Sequence, residues 1–417
     1  MPKRSPAPSP LFASRPFRPA PIPPPQGALM TRNETAPHWQ DLFERLLGEL
    51  EHRSNPDWQA DQASLDPALY CDSGHFARER ERLFRRQPLC LGPVDQLGDP
   101  GSAMAREFCG VPVLMTRTRE DRVKVFLNVC RHRGARLVGE DGVACPQQSL
   151  VCPYHGWTYR LDGTLAGLPH AEAFPALDKQ ASGLRELPSS VRHGLIWAVL
   201  DPESGPAPDI AAFLGGIDRD LESIGLGSHR LYRQHAVKRA TNWKLVVDAF
   251  LEVYHVTRLH AGTIGRFFHD AVAVSDQVGP HQRVLVGRES SAAIRALPPE
   301  RWSPQVHGTL THYVFPNSVF VYHPDYVSHM GLFPTSADET LFVHSMLIPE
   351  APSTDKAEAH WARSFELIDG GVFNGEDLAV CEQIQRGLAS GANDRLILGR
   401  LEQNLRRFHH TLDVALS

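Results

Sequence analysis

Hydrophobic positions follow different periods in successive stretches of the chain. Trp39, Leu42, Phe43, Leu46, Leu47 and Leu50 recur at helical spacing between His38 and His52, which predicts an amphipathic helix. From Leu89 to Leu200 short β patterns dominate. Val111–Thr116 and Val123–Val129 flank the charged turn Arg119-Glu120-Asp121 and predict a hairpin. Gly194–Leu200 reads as a buried strand closed by Asp201-Pro202. Beyond it, helical stretches (Trp243–Arg258, Ala357–Ile368, Glu376–Ala389, Arg395–Phe408) alternate with strands (Arg283–Val286, Tyr313–Val314, Val319–Tyr322, Leu341–Leu347). The fold class is therefore α+β, a small β domain followed by a mixed one.

Composition narrows the function classes. Apolar residues are 42% and charged residues 22% of 417, ordinary globular usage with enough apolar side chains for a large core. The net charge of −5 gives no polyanion-binding surface, so nucleic acid is not an expected partner. No apolar run approaches the roughly 18 residues that a membrane span needs, so no membrane partner is expected either. Seven cysteines in a chain this long do not form a disulfide scaffold. Clustered cysteines then read as metal ligands in a reducing compartment, and a cytoplasmic location is expected. Residues 1–36 stand apart, because Met1–Gly27 holds ten prolines and four basic residues, with no acid before Glu34. That stretch reads as an extended arm. It lacks the apolar core of a signal peptide, and a mis-assigned start would look the same.

Two short segments of the β block carry the strongest chemical signal. Cys130-Arg131-His132 and Cys152-Pro153-Tyr154-His155 are separated by 19 residues, and each offers one thiolate and one imidazole. Zinc accepts the same ligands, so the spacing alone leaves a structural Cys2His2 site open. Gly134 and Gly156 beside the ligand pairs, with Pro153 stiffening the second loop, suit two loops closing over a compact inorganic cluster. With these residues the segment resembles the Rieske family, whose motif is Cys-x-His followed by Cys-x-x-His. The resemblance implies a [2Fe–2S] cluster with Cys130 and Cys152 on one iron, His132 and His155 on the other. Respiratory Rieske proteins carry a disulfide between the two loops. Here those positions are Ala135 and Tyr154, as in Rieske oxygenases and their ferredoxins.

A second constellation lies downstream. Glu252 and His255 are three residues apart and share a face of the predicted helix Trp243–Arg258. His260 is five beyond His255, about 140° round an ideal helix, so the chain must bend or end near Val256–Leu259 for both imidazoles to meet one ion. Asn242-Trp243-Lys244 leading into Glu252-x-x-His255-x4-His260, after a Rieske motif, resembles the catalytic domain of Rieske non-haem iron oxygenase α-subunits. The resemblance covers nearly everything after the proline-rich arm. It implies an N-terminal all-β Rieske domain (86–204) and a helix-grip catalytic domain (205–417), with N-terminal helices (37–85) packing on the latter. It also implies a mononuclear Fe(II) held by His255, His260 and a late carboxylate. Asp377 is the expected third ligand with Glu376 as the alternative, and Asn374 is a candidate N-cap for their helix.

The family reading extends to activity and partners. It implies hydroxylation of a small aromatic or methylammonium substrate with O2, using electrons from a separate NAD(P)H-dependent flavin or ferredoxin reductase. The chain itself shows neither a Gly-x-Gly-x-x-Gly fingerprint nor a plant-type ferredoxin cysteine run. It further implies a homotrimer in which Glu252, usually Asp in the family, bridges one subunit's cluster and the next subunit's iron, with Asp248 as its competitor. Asn242 is grouped with Glu252 as a catalytic candidate. Phe267, Phe268, Tyr313, Phe315, Phe320 and Tyr322 are the expected pocket aromatics. The competing class is a non-catalytic electron carrier or redox-sensing binding protein, which would need none of His255, His260 and Asp377.

Overall fold

The computed structural model describes residues 36–53, 55–139 and 142–417, so the proline-rich arm lies outside the described residues. Helix α1 (Ala36–His52) follows the predicted stripe: Trp39, Leu42, Phe43 and Leu46 are buried. A second helix, α2 (Ser73–Glu79), is capped by Asp72, whose Oδ1 accepts the His75 N–H.

Strands β1 (Leu89–Pro93), β2 (Ser102–Phe108), β3 (Val111–Arg117) and β4 (Val123–Leu127) follow. The next are β5 (Leu150–Val151), β6 (Thr158–Tyr159), β7 (Leu165–Gly167), β8 (Ser189–Arg192) and β9 (Leu195–Ala198). They pair antiparallel in three small sheets, with the predicted hairpin formed by β3 and β4 and the late strand returning beside β1.

The second half is built on one seven-stranded antiparallel sheet. Its strands are β10 (Arg230–Arg239), β11 (Phe268–Val278), β12 (His281–Arg288), β13 (Gly308–Val314), β14 (Ser318–Tyr322), β15 (Val327–Pro334) and β16 (Thr340–Ile348). They run in the order β10-β16-β15-β14-β13-β12-β11. Every residue of β13, β14 and β15 is buried, because both faces of the sheet are covered. One face, through Tyr313, Val319, Met330 and Leu332, packs on helix α3 (Trp243–Leu251). The other, through Leu310, Val314, Phe320 and Tyr322, packs on α1 and Trp197.

Three helical expectations need correction. The predicted Trp243–Arg258 helix stops at Leu251, where Glu252 turns extended (φ −124°, ψ 161°), and a short helix α4 (Val256–Leu259) resumes after His255. The break therefore precedes His255 as well as His260. Late in the chain, α5 (Asp355–Phe365), a π-helical stretch (Glu366–Asp377) and α6 (Leu378–Ala389) run on without interruption. Asn374 is inside that run and caps nothing: its Nδ2 donates to Asp369 O at 2.7 Å, and its Oδ1 accepts from Arg239 at 2.6 Å. The last helix is α7 (Gln403–Leu416) rather than Arg395–Phe408, since Leu396–Leu398 pairs as a strand with Ala63–Leu65.

Candidate functional site

The two Cys–His loops are structural twins. In each, the cysteine N–H donates to the carbonyl five residues on (Cys130 to Ala135, Cys152 to Trp157, both 2.8 Å). In each, the cysteine carbonyl accepts from the glycine four residues on (Gly134 at 2.9 Å, Gly156 at 3.0 Å). Gly134 and Gly156 have φ of +81° and +70°, a conformation that side chains disfavour, which explains a glycine at the same place in both loops. The loops bring His132 Nδ1 and His155 Nδ1 to 3.1 Å, while Trp157 stacks on His132 with ring centroids 4.9 Å apart. Cys130 and Cys152 are buried free thiols. The Tyr159 oxygen accepts the Arg131 N–H at 3.0 Å, which leaves its own hydrogen for Cys130 Sγ at 3.4 Å. Two sulfurs, two converging imidazoles and a donor aimed at one sulfur fit an iron–sulfur cluster.

The second set is assembled from three distant pieces of chain. His255, His260 and Asp377 each offer one ligand atom, all within 4.8 Å of one another. Asp377 Oδ1 stands 3.2 Å from His260 Nε2 and 3.7 Å from His255 Nε2. That oxygen is buried without a hydrogen-bond partner, a costly state that a cation relieves. The opposite nitrogens are tied back: Glu252 Oε1 accepts from His255 Nδ1, and Glu376 Oε2 from His260 Nδ1 at 2.7 Å. With Nδ1 donating, each imidazole turns an Nε2 lone pair toward Asp377, the orientation a metal requires.

The neighbouring acids are thus separated by geometry. Glu376 supports His260 and also accepts from Thr263 Oγ1 at 2.8 Å, whereas Asp377 faces both imidazoles. Burial alone would keep His260 neutral, but the carboxylates of Asp377 and Glu376 outweigh it and raise its pKa. Gly265 sets the loop that follows. Its N–H donates to the His260 carbonyl at 2.8 Å, and a Cβ there would also lie 2.8 Å from that oxygen, inside contact distance.

The triad opens on a cavity of about 220 Å³ whose walls include Phe250, Val253, Ile264, Phe268, Val284, Val286, Ile368 and Phe373. Of the six expected aromatics, Phe267 and Phe268 line it. The other four do not: Phe320 and Tyr322 point to the opposite sheet face, while Tyr313 and Phe315 are buried in the core. Asn242 is also a correction. It is buried outside the cavity, where its Oδ1 accepts from Lys244 N at 2.9 Å and its Nδ2 donates to Tyr70 O and Ala337 O at 3.1 and 2.6 Å. Those bonds use up its side chain, and it acts as the N-cap of α3. Asp248 is held by Tyr70 OH at 2.6 Å and His409 Nε2 at 3.3 Å, and does not reach His255.

Sequence reading missed Glu376 as the support of His260, and the wall residues Phe250, Phe373 and Arg288. The first had no local signal, since its partners His260 and Thr263 lie 116 and 113 residues away. Arg288 shares the Val284-x-Val286-x-Arg288 alternation, which marks its face but not what that face meets.

Two sequence models of known domains match the chain. The sequence model of the Rieske [2Fe–2S] domain matches residues 87–186, and that of the ring hydroxylating alpha subunit catalytic domain matches 226–417. The carnitine monooxygenase oxygenase subunit of Acinetobacter baumannii is 27% identical over 349 residues, covering 81% of this chain and 87% of that protein. Biphenyl 2,3-dioxygenase subunit alpha of Rhodococcus jostii is 32% identical over 227 residues, 53% of this chain and 48% of that one. Among solved structures, the quaternary ammonium Rieske monooxygenase CntA with L-carnitine superposes with a TM-score of 0.71 at 21% identity, covering 85% of this chain and 96% of CntA. Naphthalene 1,2-dioxygenase from Rhodococcus sp. gives 0.70 at 19% identity, covering 91% and 98%. The twin cysteine–histidine loops fall within the first matched domain and the two-histidine, one-carboxylate set within the second, and the chain belongs to the Rieske non-haem iron oxygenase α-subunit family.

Proposed function

We propose that Cys130, His132, Cys152 and His155 hold the Rieske cluster of this oxygenase, and that His255, His260 and Asp377 hold its mononuclear iron. The observation that carries the reading is the buried, unpartnered Asp377 Oδ1 facing two imidazole nitrogens at the floor of an apolar cavity. When bound, the two centres supply the reduction of O2, with the cluster passing electrons to the mononuclear iron. The chain's own part is positional. Glu252 and Glu376 hold the imidazoles by their Nδ1 hydrogens, and the apolar walls hold a small organic substrate against the triad and keep water out.

Glu252 has a further role in this reading. It is the acid that would join His255 to a cluster histidine of a neighbouring subunit, in a trimer supplied by a separate NAD(P)H-dependent reductase. Its carboxylate supports that role by gripping His255 through both Nδ1 and the backbone N–H, the latter at 3.2 Å. The substrate is an aromatic or methylammonium compound, in keeping with relatives named for biphenyl, chlorobenzene, carnitine and glycine betaine.

Iron counting with EPR tests the assignment. The loaded protein is expected to hold about three irons per chain, two in the cluster and one at the triad. His260→Ala is expected to keep the red-brown colour and lose about a third of the iron. Loss of both centres together in that variant would contradict two separate sites. NAD(P)H oxidation by the purified chain alone would overturn the separate reductase.

A further inference from the structure

The cavity has an acidic end at Glu252 and Asp377, apolar walls, and a far end where Arg288 closes β12. Alternation along the strand puts Val284, Val286 and Arg288 on the same face, so the guanidinium projects from the wall that the two valines build. Its side chain makes one hydrogen bond, from Nη1 to Thr309 Oγ1 at 3.2 Å, and its Cζ stands 5.6 Å from the Phe268 ring centre. A guanidinium has five N–H donors. Among the described residues no carboxylate lies within ion-pair distance of it. The nearby acids are engaged elsewhere: Glu289 with His269 at 3.6 Å, and Asp325 with His360 at 2.6 Å.

The other polar groups at this end are neutral. Burial pushes His323 down to about 3, with His344 and Arg288 adding to the effect, and burial raises the Tyr326 phenol. Burial also lowers Arg288 itself, with Tyr326 the one group pulling the other way, but arginine starts so high that it stays charged at neutral pH. Among the described residues, this end of the cavity therefore carries a single positive charge with no counter-ion. Arg288 is only half-buried, but a charge partly withdrawn from water without a counter-ion is still costly, and a planar donor fork matches a carboxylate with two parallel bonds.

We propose that Arg288 binds the carboxylate of the substrate, so that the substrate is an organic carboxylate whose apolar body extends toward His255, His260 and Asp377. The proposal rests on the oxygenase reading and narrows its substrate. A simple cation is disfavoured on the same grounds, because it would leave Arg288 without a counter-ion. It would share the cavity with a fixed positive charge, and the rings of Phe268 and Phe267 already face guanidinium groups at 5.6 and 5.0 Å. An aryl carboxylate satisfies the arrangement, and so does a betaine, whose carboxylate meets Arg288 while its ammonium lies at the acidic end.

The test is a set of dissociation constants on the iron-loaded full chain, each carboxylate against its own amide. The pairs are benzoate with benzamide, 3-phenylpropionate with 3-phenylpropionamide, and γ-butyrobetaine with its amide. At least one carboxylate is expected to bind ten-fold or more tightly than its amide, the size of one charge-assisted pair. In Arg288→Gln that preference is expected to vanish while the amide's affinity changes less than three-fold. Arg288→Lys is expected to keep part of it, since the charge remains and the fork is lost. Preference for benzoate or phenylpropionate identifies an aryl carboxylate, and preference for γ-butyrobetaine a zwitterion. Equal binding of acid and amide in every pair, or a preference that survives in Arg288→Gln, overturns the proposal. Iron content and cluster colour, read on the same samples, report separately on the metal assignment.

Discussion

Lys244 belongs to the Asn242-Trp243-Lys244 run that helped to identify the catalytic domain, and its environment predicts a structural effect. Its Nζ is 2.5 Å from Glu79 Oε1, with the two side chains 1% and 0% exposed. Glu79 also accepts from Trp243 Nε1 at 2.9 Å and pairs with His75 Nε2 at 3.1 Å, so α2 is pinned to the first turn of α3 through one carboxylate. Lys244→Met removes the cation and leaves that carboxylate buried. Breaking a buried pair from one side typically costs about 3–5 kcal/mol, roughly two to nearly four powers of ten in the folding equilibrium. Adding Glu79→Gln should recover much of the loss, because the amide stays neutral and still accepts from Trp243. The assay is equilibrium urea unfolding followed by tryptophan fluorescence, with iron counted on the folded fraction. The pH dependence has a definite sign. Burial alone would raise the Glu79 carboxyl, but His75, Lys244 and Trp243 outweigh it and hold it below its ordinary value. A depressed acid contributes stability above the ordinary carboxylate range and loses it as pH falls through the folded-state value. The gap between wild type and Lys244→Met should accordingly be widest near neutral pH and shrink in acid. A variant within about 1 kcal/mol of wild type, against that ~3–5 kcal/mol expectation, would show that the pair does not hold α2 to α3. Loss of the mononuclear iron at unchanged stability would likewise contradict a purely structural role for Lys244.

Other expectations follow from the site. Asp377→Asn should abolish mononuclear iron at neutral pH, whereas Glu376→Gln should weaken it about 10–100-fold, and equal effects in metal titration would undo the distinction between ligand and support. Cys152→Ser should lose the visible cluster spectrum while keeping iron at the triad, read by optical absorption with iron analysis. Glu252→Gln should stay red-brown, near-fully loaded and reducible by dithionite, yet form almost no product; a near-normal single-turnover rate would send the electron route elsewhere. Gly265→Ala should lower triad iron without touching the cluster, because the new Cβ would push on the His260 carbonyl.

Parts whose geometry is local are legible in the order of residues alone. Cysteine and glycine four apart close each Rieske loop through bonds spanning only four or five residues, so spacing is enough to specify the loop. His255 and His260 likewise come from one short stretch, although the helix breaks earlier than periodicity suggested, at Glu252. Tertiary structure decided whatever depended on a partner far along the chain. Adjacent acids in one helix look alike to any local rule, and Glu376 and Asp377 are told apart only because His260 Nδ1, 116 residues away, takes the first. The same holds for Asn242, whose partners Tyr70 and Ala337 come from both sides of it in sequence, and for the aromatic strand residues. Alternation shows that Tyr322 and Phe320 share a face and that Val284 and Arg288 share one. It does not say which face meets α1 and which meets the triad, because that depends on what covers each side of the folded sheet.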